Sequence, residues 1–239
     1  MRTANLTRYA YWQLRDFVRE RAIALLLVGF LLGFLLVAPM RSMMGGNIDE
    51  PNAKRILLLV LPQIVFISSF IAMNGMISTD RKMGYYRFLF SKPVSIPAFY
   101  AQRFVIYFAG FIGVFAILLA IFALAVRPIN PLPTLAYCAL VYLSLGGIGF
   151  FISSIFRIDW PILAGVYLAS AVVNAVWADS EGWRMMVRNI LPPLHKLTPA
   201  MTDLINLGTV DVSSVVWLLG YSALFFVVGL AVLWRRPIG

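Results

Sequence analysis

The hydrophobic positions fall into six long runs that contain no charged side chain: roughly Ala22 to Met40, Ile56 to Ser78, Phe104 to Val126, Leu135 to Phe156, Pro161 to Ala178 and Ser214 to Trp234. A bilayer core of about 30 Å is crossed by about 20 apolar residues in a helix, while membrane β-strands are about 10 residues long. The runs have helical length. They predict an all-α polytopic membrane protein with six transmembrane helices in a domain over 22–239. Ahead of the first run, Leu6, Ala10, Leu14, Phe17 and Val18 share one helical face, and Arg8, Arg15 and Arg19 share the opposite one. That pattern predicts an amphipathic helix over 1–21 lying in the cytoplasmic interface, in contact with membrane lipids. The first run ends at Val37-Ala38-Pro39-Met40 with no small-x-small cleavage pattern, so it is expected to stay in the mature protein.

The segments between runs carry further elements. Residues 179–213 form the longest outer loop, too long for a plain connection between packed helices. Within it Trp183, Met186, Val187, Ile190 and Leu191 repeat at helical spacing, and Pro192-Pro193 stops that helix. Thr198-Pro199 then reads as the start of a second short helix that Gly208 ends. Both are expected to lie over the outer mouth of the bundle. Between runs two and three, residues 79–97 mix aromatic and aliphatic side chains with cations. Thr79 is placed to cap a short helix with Asp80 in its first turn, and Pro93 ends it.

Composition narrows the class. At 61% hydrophobic and 13% charged residues, with a mean hydropathy of +0.86, the chain departs from the ~45–50% and ~25% of soluble domains. Cys138 is the single cysteine, so no intramolecular disulfide forms, and no Cys/His cluster offers a zinc site. The net charge of +10 would point to nucleic acid in a soluble protein. Here its distribution reports orientation instead. With alternate loops assigned to one side, thirteen of the twenty Lys and Arg fall on the side of both termini, while six of the ten acids fall on the other. Both termini are therefore expected in the cytoplasm, with no nucleic-acid partner.

The segment Asp80-Arg81-x-x-Gly84, followed by Leu89-x-x-x-Pro93-Val94-Ser95 and by Arg103 at the opening of the third run, resembles the permease subunits of type-2 ATP-binding-cassette (ABC) transporters, the exporter-like class. The whole layout is similar to theirs: an amphipathic cytoplasmic helix, six spans, a coupling helix between spans two and three, and outer helices between spans five and six. The tail Arg235-Arg236-Pro237 departs from the two basic residues and an acid that end many members. The resemblance implies that Asp80, Arg81, Gly84, Tyr85, Phe88, Leu89 and Pro93 seat in a cleft of a separate ATPase subunit. It also implies two such ATPases and a second permease, identical or related, around a pathway in the cell inner membrane. The chain has no phosphate-binding loop, since Lys54, Lys82, Lys92 and Lys196 all lack that context. ATP and Mg are then bound by the partner, the chain binds no cofactor, and it is not itself an enzyme.

Neutral polar residues inside the runs offer pathway candidates. Gln63 and Asn74 share a stripe with Phe66, Ile67 and Phe70; Tyr167, Ser170, Ala171 and Asn174 share a face of the fifth run. They either line a pathway or join helices by hydrogen bonds. Gly29-x-x-x-Gly33 permits a close helix approach and is a candidate dimer contact, and Gly146, Gly147 and Gly149 permit another approach. Ser153 and Ser154 are expected to bond back to their own helix. His195, with Asp203 eight residues on, lacks the companions of a metal or catalytic site. Two further readings stay open: a non-transporting membrane scaffold, and an intramembrane lipid-acting enzyme, for which no nucleophile or carboxylate pair is present at membrane depth. A secondary transporter built from inverted three-span repeats is disfavoured by the absence of charge in the runs.

Overall fold

The computed structural model describes residues 4–43, 49–84, 95–156, 158–177 and 181–235. Among them every regular element is helical: α1 (Ala4–Phe17), a π-helical turn (Val18–Ala22), α2 (Ile23–Met43), α3 (Glu50–Met73), α4 (Ser78–Met83), α5 (Ile96–Ala125), α6 (Pro131–Ile155), α7 (Trp160–Val176), α8 (Trp183–Ile190), α9 (Leu194–Leu207) and α10 (Val212–Arg235). Among the described residues, five helical stretches are long and apolar enough to cross a membrane: Tyr9–Pro39, Glu50–Met83, Ile96–Ala125, Pro131–Ile155 and Val212–Arg235. The fifth predicted run is the shorter α7, whose 17 residues extend about 25 Å.

Helix starts lie further out than the hydrophobic runs because polar side chains cap them. Asp49 accepts the Asn52 amide at 3.1 Å and Pro51 sits in the first turn, so α3 starts six residues before its apolar run. Asn130 does the same for α6 through the Leu132 amide at 3.1 Å. At α10, the hydroxyl and amide of both Ser213 and Ser214 donate to Asp211, and these bonds, the Ser213 hydroxyl foremost, hold its carboxyl down at about 2.

Helix α6 occupies the centre, packed on α3, α5, α7, α9 and α10. Its glycines make that possible. A Cβ on Gly147 would stand 2.4 Å from the Ser222 carbonyl oxygen on α10, and one on Gly146 would stand 2.8 Å from the Phe104 ring on α5. Lipid tails are as apolar as leucine, so such close packing, rather than expulsion from water, holds helices together in a bilayer. Aromatic rings fill the remaining space: Phe104 lies 5.6, 5.9 and 4.8 Å, centroid to centroid, from Tyr142, Phe150 and Phe226.

The N-terminal helix turns Phe17 of its apolar face into the bundle together with polar neighbours, and leaves the rest of that face outside. Leu14 and Val18 are exposed, whereas Gln13, Phe17 and Arg21 are buried. The buried positions Phe17, Arg21, Leu25 and Gly29 recur every four residues. An α-helix drifts about 40° at each such step. The π turn at Val18–Ala22, with its wider winding, keeps the row facing α5 and α3. Its effect is to carry the cation Arg21 into the core.

Between α7 and α10, α8 coincides with its predicted run, but Trp183, Met186 and Ile190 are all exposed. Helix α9 starts at Leu194, ahead of the expected Thr198, and carries Pro199 inside it. The Pro193 carbonyl accepts the Lys196 and Leu197 amides, so the turn after Pro193 starts the helix. Gly208 ends it in a left-handed conformation (φ 72°), and Leu197, Met201, Leu204 and Ile205 bury its apolar face.

Candidate functional site at the break between α3 and α4

Helix α3 stops at Met73, and the chain turns through Asn74–Ile77 before α4 begins. A broken helix in an apolar bundle frees backbone donors and acceptors that water cannot reach, each costing several kcal/mol if left unmet. Side chains from four other elements meet them here. The Asp159 carboxylate, just before α7, accepts the Gly75 amide at 3.1 Å. Ser153 Oγ on α6 accepts the Ile77 and Ser78 amides, each at 3.2 Å. On the carbonyl side, Arg21 Nη1 donates to Ile71 O at 3.2 Å and also to Ala72 O, and Arg103 Nη1 donates to Met76 O at 2.9 Å. Gly75 holds φ 72°, and a Cβ there would lie 2.2 Å from Thr79 Oγ1. The turn requires glycine on both counts.

Asp80 sits one turn beyond, 6% exposed. It pairs with Arg103 at 2.6 Å and accepts the Tyr100 hydroxyl at 3.1 Å. Tyr107 completes the cluster: its hydroxyl accepts Arg103 Nε at 3.1 Å, and the Arg21 guanidinium lies 4.7 Å from its ring centroid. Buried charges are costly unless paired and hydrogen-bonded. In this cluster the cations Arg21 and Arg103 stand with the acids Asp80 and Asp159: Arg21 bonds the last carbonyls of α3, Asp159 and Arg103 bond the turn, and Asp80 on α4 is held by Arg103 and Tyr100. Gln13 Nε2 donates to Phe99 O at 3.2 Å, tying α1 to the start of α5, and Arg81 Nη2 donates to Ser154 O at 2.6 Å. Both ends of the intervening chain, α4 and α5, are thus fixed to the core.

The predicted site residues divide accordingly. Asp80 and Arg81 face inward onto Arg103 and Ser154, while Gly84 is exposed and ends α4 at φ 67° with open space around it. Tyr85, Phe88, Leu89 and Pro93 lie outside the described residues. Of the pathway candidates, Gln63 and Asn74 are exposed, whereas Phe70 and Tyr167 meet edge to face at 4.9 Å. Ser170 is buried and donates to Pro192 O at 2.6 Å, and Asn174 Nδ2 donates to Ser170 O at 2.8 Å. Ser170 thus fastens α7 to the segment between α8 and α9, and Asn174 braces Ser170 within the helix. Gly29 is filled within the chain, since a Cβ would stand 2.4 Å from Leu118 on α5, and Gly33 is nearly open, with Ile64 at 3.9 Å. Ser154 does bond its own helix, through Phe151 O at 2.6 Å, but Ser153 turns across to the break in α3. Two orphan amides lie within its reach there.

Sequence reasoning missed Arg21, Tyr107, Ser153 and Asp159 as site residues. The available signal was spacing: Gln13, Phe17 and Arg21, and again Arg103 and Tyr107, stand four apart.

On α9, His195 stacks edge-on to Trp217 at 6.0 Å, and its imidazole is lowered to about 4 by burial first, then by the charges of Arg188 and Lys196. Among the described residues no group of three or more His, Cys, Asp or Glu is placed to hold a metal ion.

The fold and the clasped break define the class: an all-α chain with several membrane-length apolar helices, as in multi-pass membrane proteins. No protein-family model, curated protein or solved structure matches the chain.

Proposed function

We propose that the chain is the transmembrane permease subunit of an ATP-driven ABC transporter of exporter-like type, with residues 79–97 as the segment that docks on a separate ATPase. The observation that carries this reading is the rigid footing of that segment. Its first helix is bound to the core by the Asp80–Arg103 pair and the Arg81–Ser154 bond, and the helix after it by Gln13 on Phe99. A docking element transmits movement only if its attachments do not yield. Unfixed loops dissipate the displacement. Asp80 and Arg81 serve in this reading as anchors of the segment, and Gly84, Tyr85, Phe88, Leu89 and Pro93 as its contact surface.

Transport requires a second permease, the same chain or a related one, with α7 serving as the sixth span and the pathway between the copies. Gln63, Phe70, Asn74, Tyr167, Ser170 and Asn174 are its candidate lining. The charge bias supports cytoplasmic termini, and the partner ATPases bind ATP and Mg. A dimer contact through Gly29 and Gly33 uses the open Gly33 side, because Leu118 already occupies Gly29.

The test is co-purification from the native membrane with an ATPase that carries a phosphate-binding loop. Gly84→Trp and Leu89→Asp are expected to release that ATPase while the purified chain stays folded, Gly84→Trp losing only the left-handed backbone penalty of about 1–2 kcal/mol that Gly84→Ala also carries. Retention of the ATPase by both folded variants would overturn the reading.

A further inference from the structure

A polar cleft opens between α7, α8 and α9. Its walls are Ala171 and Asn174 on α7, Arg188 on α8, and Leu194, His195 and Thr198 on α9. Its volume of about 330 Å³ is many times the ~10–15 Å³ that one water requires. No lining residue is shared with the clasped break in α3.

Hydrogen bonding fixes how Asn174 stands in this wall. The Ser170 hydroxyl gives its one proton to Pro192 O at 2.6 Å, so toward any other group Ser170 Oγ only accepts. Asn174 Nδ2 supplies that bond at 3.1 Å and a second to Ser170 O at 2.8 Å. The amide is thereby oriented, and Asn174 Oδ1 is left as a buried acceptor that no donor among the described residues meets. Across the cleft, His195 Nδ1 is also buried and unmet among the described residues. Its imidazole, lowered to about 4, is neutral at pH 7. Thr198 Oγ1 donates to Leu194 O at 3.2 Å and so presents only lone pairs to a ligand. Buried polar atoms in native proteins are hydrogen-bonded. Two unmet ones in facing walls of one cleft point to a ligand that bonds both.

The set of groups selects its chemistry. A carboxylate or phosphate has no proton to give Asn174 Oδ1 and would set oxygen against oxygen there. An ammonium would donate, but the charges acting on His195 are those of Arg188 and Lys196, and both disfavour a further cation beside it. A hydroxyl is neutral, and it both donates and accepts. Unmet atoms on α7 and on α9 call for two hydroxyls on one molecule.

We propose that this cleft binds a neutral polyol: a molecule with hydroxyls on neighbouring carbons, one donating to Asn174 Oδ1 and the other bonding His195 Nδ1. A free polyol and the glycerol headgroup of a monoacylglycerol present the same diol. The cleft is built within one copy of the chain, so the site stands whether or not the chain is a transporter.

His195 is the only histidine, so isotope-labelled histidine places a single imidazole reporter in the cleft of the tag-free protein. Its nuclear magnetic resonance signals are followed at pH 7.5 in a detergent without hydroxyls. Glycerol is the free probe and mono-oleoylglycerol the lipid probe. A saturable shift of the Nδ1 signal is expected, and the probe that saturates at the lower concentration identifies the source. Asn174→Leu should weaken binding at least tenfold. Ala171→Phe fills the cleft from an exposed position and serves if Asn174→Leu, which also loses its bonds to Ser170, does not fold, as judged by thermal unfolding. Absence of a saturable shift with both probes would leave the cleft to water and overturn the proposal. Equal shifts with acetamide, neutral but without hydroxyls, or with inorganic phosphate would also overturn it, as would undiminished binding in a folded variant.

Discussion

Arg103 on α5 and Asp80 on α4 form a buried ion pair at 2.6 Å, and the same Arg103 nitrogen donates to the Met76 carbonyl inside the helix break. The pair thus does two jobs, neutralising a buried acid and satisfying an orphan carbonyl. Removing one member of a buried pair leaves an uncompensated charge and costs about 3–5 kcal/mol. Asp80→Leu and Arg103→Met are each expected to lower the unfolding temperature in detergent sharply. The double variant should recover part of the loss, because no unpaired charge remains. Tyr100→Phe removes one hydrogen bond and should cost only about 0.6 kcal/mol. Additive losses in the double variant would show that the two residues do not act as a pair.

Gly75 and Gly84 both hold positive φ, yet they differ in surroundings. Alanine at either position meets the left-handed penalty of about 1–2 kcal/mol. At Gly75 the new Cβ also collides with Thr79 Oγ1 at 2.2 Å, while at Gly84 nothing stands within 4 Å. Gly75→Ala should therefore destabilise more than Gly84→Ala in the same thermal assay. Adding Thr79→Ala should bring the two variants close together, since only the backbone penalty then remains.

The contact between α6 and α10 depends on Gly147. Alanine there would press on the Ser222 backbone at 2.4 Å, and a backbone cannot swing aside as a side chain does. Overpacking of this kind costs about 1–3 kcal/mol. Gly113→Ala is the matched control: it lies in α5 with open space around it and should gain up to about 1 kcal/mol from helix propensity. Opposite shifts of unfolding temperature in the two variants are the expected result.

His195 makes the packing of α9 against α10 sensitive to acid. Its folded-state value of about 4 lies below the ordinary value of about 6.5, so the unfolded chain takes up its proton first as pH falls. The stability it supports is complete above about pH 6.5 and is lost progressively as pH drops toward 4. Partial exposure to solvent makes the loss modest. Wild type minus His195→Gln, compared in unfolding temperature at pH 7.5 and pH 5, isolates this contribution from the carboxylates. A difference that does not change with pH would remove His195 as its source.

Much of the architecture was readable from polarity alone. A helix long enough to cross a bilayer must exclude charge along its length, so the runs beginning near Ala22, Ile56, Phe104, Leu135 and Ser214 each coincide with a membrane-length helix. The amphipathic repeat of Trp183 to Ile190 and the stop at Gly208 were equally local signals. The N-terminal helix was harder to read, because its pattern gave an apolar face for lipid but no sign that Gln13 and Arg21 would be buried in the bundle beside Phe17.

The sequence by itself determined the helices, their approximate ends and the candidate docking segment, since spacing, capping residues and the absence of charge act within a few residues of one another. Only the tertiary structure decided where the charges went. Arg21, Arg103 and Asp159 lie far apart along the chain and look like ordinary loop or interface charges. They converge because a helix broken at Asn74 leaves amides and carbonyls that must be met inside an apolar bundle. That demand comes from the packed fold and leaves no mark in any one segment.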